Sequence, residues 1–189
     1  MKEFSILALG GNAVSPMGDP AMTLTFALKA LSKKGVNILR ESSRYVNPAF
    51  PKGSGPDFVN AVALVDSDYK PAELLDILHE VEAECGRVRE KRWGPRTLDI
   101  DLIDAAGRVF PNLELYLWWS GLPPEKQAEI APEQLILPHP RIQDRAFVLI
   151  PMLEVLPEWK HPVTGQGVAE MLSLLPESDR NEVVRLPNP

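Results

Sequence analysis

Apolar positions along this chain fall into short strand-like runs separated by stretches with helical spacing. Phe4 to Leu9 is a brief apolar run closed by Gly10-Gly11, which predicts a buried strand feeding a tight loop. From Pro20 to Lys34, Met22, Phe26, Leu28 and Leu31 recur at helical spacing and Gly35 closes the segment. Val36 to Tyr45 reads as a second strand, and Asn47 to Pro56, rich in Pro and Gly, reads as a loop. Phe58 to Val65 is a third strand bounded by Asp66-Ser67-Asp68. Pro71 to Cys85 opens with Pro in the first turn, ends before Gly86 and turns Leu74, Leu75, Leu78 and Val81 inward as a second helix. Residues 86–96 form a charged loop, and Thr97 to Ile103 is a fourth strand.

The order strand, helix, strand, strand, helix, strand predicts an α+β fold. Its arrangement is ferredoxin-like: a four-stranded antiparallel sheet with two helices on one face. Residues 104–134 exceed what that pattern needs and read as an insertion within a single domain spanning 1–189. Trp118 and Trp119 are its expected anchors over a sheet edge, and Leu122-Pro123-Pro124-Glu125 is expected to lead into a short helix. Arg145 to Leu156 and Val168 to Leu175 are expected C-terminal helices. No internal repeat or low-complexity run interrupts the pattern.

Composition narrows the function classes. The chain has 189 residues, enough for a real core, and is 44% hydrophobic and 24% charged with a net charge of -6. That acidity argues against a general nucleic-acid binder, whose affinity rests on cation–phosphate contacts, but permits a local basic pocket. Cys85 is the only cysteine, so no intrachain disulfide forms and a reducing, cytoplasmic setting is expected. No apolar run reaches membrane-spanning length, and the opening MKEFSILALGGN reads as a strand rather than a secretory signal. A monomer without membrane or nucleic-acid partners is expected.

Chemistry concentrates in RWGPRTLDID, residues 92–101. In a strand, Asp99 and Asp101 point to one face roughly 6.5–7 Å apart, while Leu98, Ile100 and Leu102 face the other, packed side. Like charges so placed call for cations between them. Two Mg²⁺ ions about 3.5–4 Å apart fit that span, and Mg²⁺ prefers hard oxygen ligands. Alone, a D-x-D pair more often marks a solvated strand face. Its neighbours change that reading: Arg87, Arg89, Lys91, Arg92 and Arg96 stand against one acid, Glu90. A cation cluster directly before two aspartates suits a polyphosphate bridged to metal, since guanidinium forks grip phosphate oxygens in pairs. The bland alternative is a solvated loop paired with Glu82 and Glu84. No Walker-type or kinase glycine loop is present, so side chains and metal must hold the phosphates.

Other candidates are weaker singly. Trp93, beside Gly94-Pro95, caps a flat ligand or packs the loop. Phe58 and Asn60 share a strand face, an aromatic and an amide that suit a flat heterocycle or a half-buried sheet. His139 has no second His or Cys at ligand spacing, so zinc is not expected; a structural role is the default, a phosphate or ribose contact the sharper reading.

These residues resemble a known family. RWGPRTLDIDLI is similar to the defining motif of the 6-hydroxymethyl-7,8-dihydropterin pyrophosphokinases of folate biosynthesis. The likeness extends to ALGGN, SSRYVNPAF, GPDFVNAVALV, ELLDILHEVEAECGRVR and LPHPRIQDRAFVLIPMLEVLP. It implies transfer of an intact pyrophosphoryl group from the co-substrate ATP to the pterin hydroxymethyl oxygen, with release of AMP. It further implies that Asp99 and Asp101 hold two Mg²⁺ ions and that Arg87 and Arg96 join them in catalysis. ATP contacts are implied at Glu82, Arg89, Trp93, Ile100, Leu102, His139 and Arg145. Phe58 and Phe147 would sandwich the pterin, with Asn12, Asn47, Phe50 and Asn60 around its edge. Gly11, Asn47, Ala49 and Phe58 depart from a frequent Ser, Thr, Pro and Tyr of the family, which touches the pterin contacts rather than the phosphate roles. Two rivals from other classes are a ferredoxin-like RNA-recognition module using the basic loop and a D-x-D glycosyltransferase. The charge balance opposes the first, and the short chain without a Rossmann-like start opposes the second.

Overall fold

The structure, a computed structural model, describes residues 3–49, 52–87, 96–123, 126 and 130–187. In chain order the described elements are β1 (Glu3–Gly11), α1 (Pro20–Lys33), β2 (Asn37–Glu41), β3 (Tyr45–Asn47), β4 (Phe58–Ser67), α2 (Pro71–Glu84), β5 (Asp99–Ala105), α3 (Leu113–Ser120), α4 (Ala146–Val155), α5 (Val168–Leu174), α6 (Glu177–Asn181) and β6 (Val184–Arg185). A 3-10 turn at Ile142–Asp144 precedes α4. The sheet is antiparallel. β1 lies between β5 and β4, β4 also carries β2 and β3, and β6 adds to β3.

Strand alternation divides the sheet into two unlike faces. Leu7, Leu9, Ala61, Ala63, Val65, Ile100 and Leu102 point to one side and meet α1 and α2 in the larger core. Ile6, Val62 and Ile103 point to the other, under α4 and α5 with Val148, Leu149, Met152, Val168 and Met171. Helices therefore cover both faces, one layer more than the two helices on one face that the N-terminal pattern predicts.

Both N-terminal helices begin as their sequences suggest. Asp19 Oδ1 accepts from Met22 N at 2.9 Å with Pro20 in the first turn, and Glu73 Oε2 accepts from Lys70 N at 2.8 Å ahead of Pro71. The buried stripe of α1 is Leu24, Ala27, Leu28 and Leu31, whereas Met22 is exposed. Leu28 and Leu31 of the expected set are buried and Phe26 packs against the core, so the departure is at Met22, whose place is taken by Leu24 and Ala27.

The expected second strand is two. β2 and β3 are separated at Ser42, whose N–H donates to Val62 O and whose Oγ accepts from Val62 N, each at 2.9 Å. A side chain takes the ladder position of a carbonyl there, and the β2–β4 register shifts between Ile38 and Arg40. The extra segment after β5 contributes α3, which is anchored by Tyr116 and Trp119. Trp118, expected as a second anchor, is 52% exposed, with the Trp119 ring edge-on to it at 4.9 Å. His161 Nδ1 accepts from Val163 and Thr164 N–H, so its Nε2 carries the proton that bonds Tyr116 Oη at 3.0 Å. The short helix expected after Pro123 falls largely outside the described residues. No described helix is long and apolar enough to cross a membrane.

Candidate active site

β5 places the two aspartates. Leu98, Ile100 and Leu102 are all buried in the α1–α2 core, so Asp99 and Asp101 emerge together on the opposite face. Across the sheet, Asp99 is opposite Gly10, Gly10 opposite Asn60 and Asn60 opposite Tyr45; one step along, Asp101 is opposite Ala8 and Ala8 opposite Val62. The centre of this surface is floored by Gly10 and Ala8, and the lack of a side chain at Gly10 lets the Asn60 amide lie close over it. A Cβ at Gly10 would stand 2.7 Å from Asn60 Oδ1, and one at Gly11 only 2.6 Å from the Thr97 carbonyl. Both glycines admit a close neighbour. The two lie inside β1 rather than in a loop after it, and consecutive glycines within an apolar strand are the signal that would have marked this floor.

Arginines meet both acids. Asp99 pairs with Arg87 through one carboxylate oxygen and with Arg96 through the other. Asp101 pairs with Arg145 at 2.7 Å. Arg87 also pairs with Glu82, which is buried on α2 and accepts from the Ile100 N–H at the sheet edge, 2.7 Å away. Glu82 thereby fixes both β5 and Arg87. Asp99 and Asp101 remain 24% and 34% exposed, so they are open to an incoming ligand. These pairings bring Arg87, Arg96, Arg145, Glu82, Asp99 and Asp101 into one cluster drawn from four segments of the chain.

His139 enters beside it. Its N–H bonds Ile103 O at 2.8 Å and its Nδ1 accepts from Arg141 N at 3.1 Å, which leaves Nε2 as the proton-bearing nitrogen. Burial, then Arg145 and Arg141, hold its pKa well below the ordinary 6.5 against the opposing pull of Asp99. The ring is a neutral N–H donor at physiological pH. Phe147 starts α4 with its ring centroid 5.8 Å from the Arg145 guanidinium carbon. On the sheet, Phe58 and Asn60 share a face, and Asn60 Nδ2 donates to Asn47 Oδ1 at 2.5 Å. Asn12 is buried and engages backbone: Nδ2 donates to Pro56 O at 3.0 Å and Oδ1 accepts from Arg96 N at 2.9 Å. It ties the loop before β4 to the start of the Arg96 segment.

Ile100 and Leu102 stand apart from the other expected ATP contacts. Each is 3% exposed and faces the α1–α2 core, so their side chains point away from the acidic face and only their backbone borders it. Phe50, Arg89 and Trp93 lie outside the described residues, as do Lys91 and Arg92 of the basic run.

The donor set fits magnesium. Two carboxylates on one surface, beside guanidiniums able to take phosphate, match the one or two protein ligands a nucleotide-bound Mg²⁺ uses. Among the described residues they are not part of a larger His, Cys, Asp or Glu group of the kind a softer metal would take.

Comparison with known proteins supplies independent findings. Residues 6–157 match the family described as 7,8-dihydro-6-hydroxymethylpterin-pyrophosphokinase. A relative from Methylorubrum extorquens named 2-amino-4-hydroxy-6-hydroxymethyldihydropteridine pyrophosphokinase is 33% identical over 173 residues, 91% of this chain and 93% of its own. One of the same name from Haemophilus influenzae is 33% identical over 167 residues, 88% of this chain and 89% of its own. A crystal structure of wild-type Plasmodium falciparum HPPK-DHPS with pteroate has a TM-score of 0.65 at 14% identity. It matches 92% of this chain, which spans 44% of that longer one, and at that identity the likeness concerns fold alone.

Proposed function

Because the chain belongs to the 7,8-dihydro-6-hydroxymethylpterin-pyrophosphokinase family, we infer that the Asp99–Asp101 face is where it transfers a pyrophosphoryl group from ATP to the hydroxymethyl group of 6-hydroxymethyl-7,8-dihydropterin. The pterin oxygen bonds the β-phosphorus, the bond from that phosphorus to the α–β bridging oxygen breaks, and AMP leaves while the hydroxyl proton is lost. The product is the pterin diphosphate of folate biosynthesis. The single observation that carries the site assignment is the pair of partly exposed carboxylates on one strand face, each already opposed by guanidinium.

Asp99 and Asp101 are the residues that would hold Mg²⁺, two ions in this reading. Bound there, Mg²⁺ would offset phosphate charge and make the attacking hydroxyl more acidic. Arg87, Arg96 and Arg145 would grip the phosphate oxygens and stabilise charge as it develops on them. The His139 Nε2–H adds a neutral donor. Phe58 and Phe147 flank the pterin ring, with Asn47 and Asn60 at its edge. Phe50, Arg89 and Trp93 join this scheme by resemblance. Catalysis then rests on positioning and electrostatics, with no side chain needed as a strong base. The succession β1, α1, β2–β3, β4, α2, β5 supports a ferredoxin-like core, with residues 104–134 as an insertion in one domain. The lone buried Cys85 fits a reducing cytoplasm.

The test is an assay with ATP, Mg²⁺ and the reduced pterin. AMP and the pterin diphosphate should form together, and omission of either Mg²⁺ or the pterin should abolish both. Arg96→Ala should lower turnover by about 10²-fold. AMP released without pterin, or ADP in place of AMP, would contradict the assignment.

A further inference from the structure

The proposed pterin slot lies between two bodies, helix α4 with Phe147 and the β3–β4 pair with Asn47, Phe58 and Asn60. Its width depends on how α4 is held against that edge of the sheet. Glu154 lies seven residues after Phe147, two turns on the same side of α4 and about 10 Å along its axis. One of its carboxylate oxygens accepts from Tyr45 Oη at 2.7 Å, and the other accepts from Ser43 N at 2.6 Å. Tyr45 is the residue opposite Asn60, and Asn47, two residues later on the same strand, bonds Asn60 directly. One carboxylate on the helix therefore holds the strand that carries the edge-reading amides.

The C-terminal segment closes the same cluster. β6 pairs Val184 with Val46 and Arg185 with Tyr45, and Leu186 N donates to Arg44 O at 2.8 Å. Arg185 Nη2 donates to Ser43 Oγ at 2.6 Å, and its Nε is 3.6 Å from Glu154 Oε1. Lys52, in the loop between β3 and β4, reaches Glu182 at 3.0 Å. The Lys52 pair is exposed and weak. The carboxylate at Glu154 is stronger, because its oxygens accept short charge-assisted bonds at only 31% exposure. Burial alone would raise its pKa, but the Ser43 N–H, the Tyr45 hydroxyl and Arg185 together keep it below the ordinary value, so it stays ionised.

We propose that Glu154, through Tyr45 and the Arg185 strand, is a positioning residue that sets the spacing of the pterin slot between α4 and the β3–β4 edge. This rests on the reading that Phe58 and Phe147 flank the pterin. Glu154 touches neither substrate; it acts through the strand and helix that do. Most of the ATP side, Asp99, Asp101, Arg87 and Arg96, is attached through β5 and α2 independently of this clamp; only Arg145, which immediately precedes α4, is shared with the helix.

Steady-state kinetics with each substrate varied separately tests the proposal, with circular dichroism and the thermal midpoint recorded for every variant. Glu154→Ala should raise the KM for the pterin about tenfold while the KM for ATP stays within about twofold. Glu154→Gln, which retains one accepting oxygen, should recover part of that loss. A pterin KM within about twofold of the parent for Glu154→Ala, or equal rises for both substrates, would overturn the proposal. If Glu154→Ala does not fold, Tyr45→Phe removes a single hydroxyl and should still raise the pterin KM selectively; no selective rise there overturns it equally. Phe147→Ala separates the two levels. An unchanged pterin KM in that variant removes the flanking reading and the clamp with it. A raised KM there, with Glu154→Ala and Tyr45→Phe both neutral, removes the clamp alone.

Discussion

The two faces of the sheet are built from the same strands yet do opposite work. On the α1–α2 side, alternate residues of β1, β4 and β5 form an unbroken apolar layer in which Leu7, Leu9, Val65, Ile100 and Leu102 are at most 3% exposed. On the other side, Ile6, Val62 and Ile103 pack under α4 and α5, but further along the strands the layer gives way to Asp99, Asp101, Gly10, Ala8 and Asn60. The first face provides rigidity without chemistry. The second has apolar packing for half its length and an open charged surface for the rest. A strand in β geometry lets one residue secure the fold while its neighbour serves the site, and β5 does this twice in succession, at Asp99–Ile100 and Asp101–Leu102.

Adjacent substitutions on β5 should separate these roles most sharply. Asp101→Ala should cut turnover by at least about 10²-fold with the thermal midpoint nearly unchanged, since its Arg145 pair is partly exposed. Leu102→Ala, one residue on, should cost about 2–5 kcal/mol of stability by leaving a cavity in the α1–α2 core. At temperatures where that variant is folded, its rate per folded molecule should be far closer to the parent than that of Asp101→Ala. If the two substitutions had the same profile, the division of the faces would be wrong.

A similar contrast exists within α3, at smaller scale. Trp119→Ala should destabilise by a few kcal/mol, whereas Trp118→Ala, at an exposed position, should stay within about 0.5 kcal/mol by thermal or denaturant unfolding. The smallest effect is on pH. His161 is held below its ordinary pKa of 6.5 by burial, so it binds its proton more readily in the unfolded chain. Its neutral form therefore favours folding at pH above 6.5, and that contribution is lost progressively as pH falls below 6.5. His139 acts in the same sense. Asp104, raised by burial, acts oppositely, favouring the fold while protonated and losing that contribution as pH rises through its folded pKa. The thermal midpoint of His161→Gln should therefore fall less steeply below pH 6.5 than that of the parent. Parallel curves would contradict the burial of a neutral ring.

What the sequence makes legible follows the range of the physics involved. The outward turn of Asp99 and Asp101, with Ile100 and Leu102 inward, is a local consequence of strand periodicity and was legible. So were the starts of α1 and α2, set by Asp19-Pro20 and Pro71. The break at Ser42 was not, because it depends on a bond to Val62 twenty residues away. Nor was β6, two residues long and formed only by pairing with β3. The segment of α3 is apolar nearly all round, so nothing local chooses Trp119 over Trp118 as the buried ring. In the site, the Arg87 and Arg96 neighbourhood of the aspartates was visible as a charge cluster. Arg145 came only from the family resemblance, since it reaches Asp101 across 44 positions.

The most direct measurement is calorimetric titration of a non-reacting ATP analogue into the parent and into Asp99→Ala/Asp101→Ala, with and without Mg²⁺. The parent should bind the analogue more tightly when Mg²⁺ is present, and the double variant, still folded, should lose that enhancement while the arginines retain a weaker, metal-independent affinity. An undiminished Mg²⁺ enhancement in the double variant would show that the ions are held elsewhere.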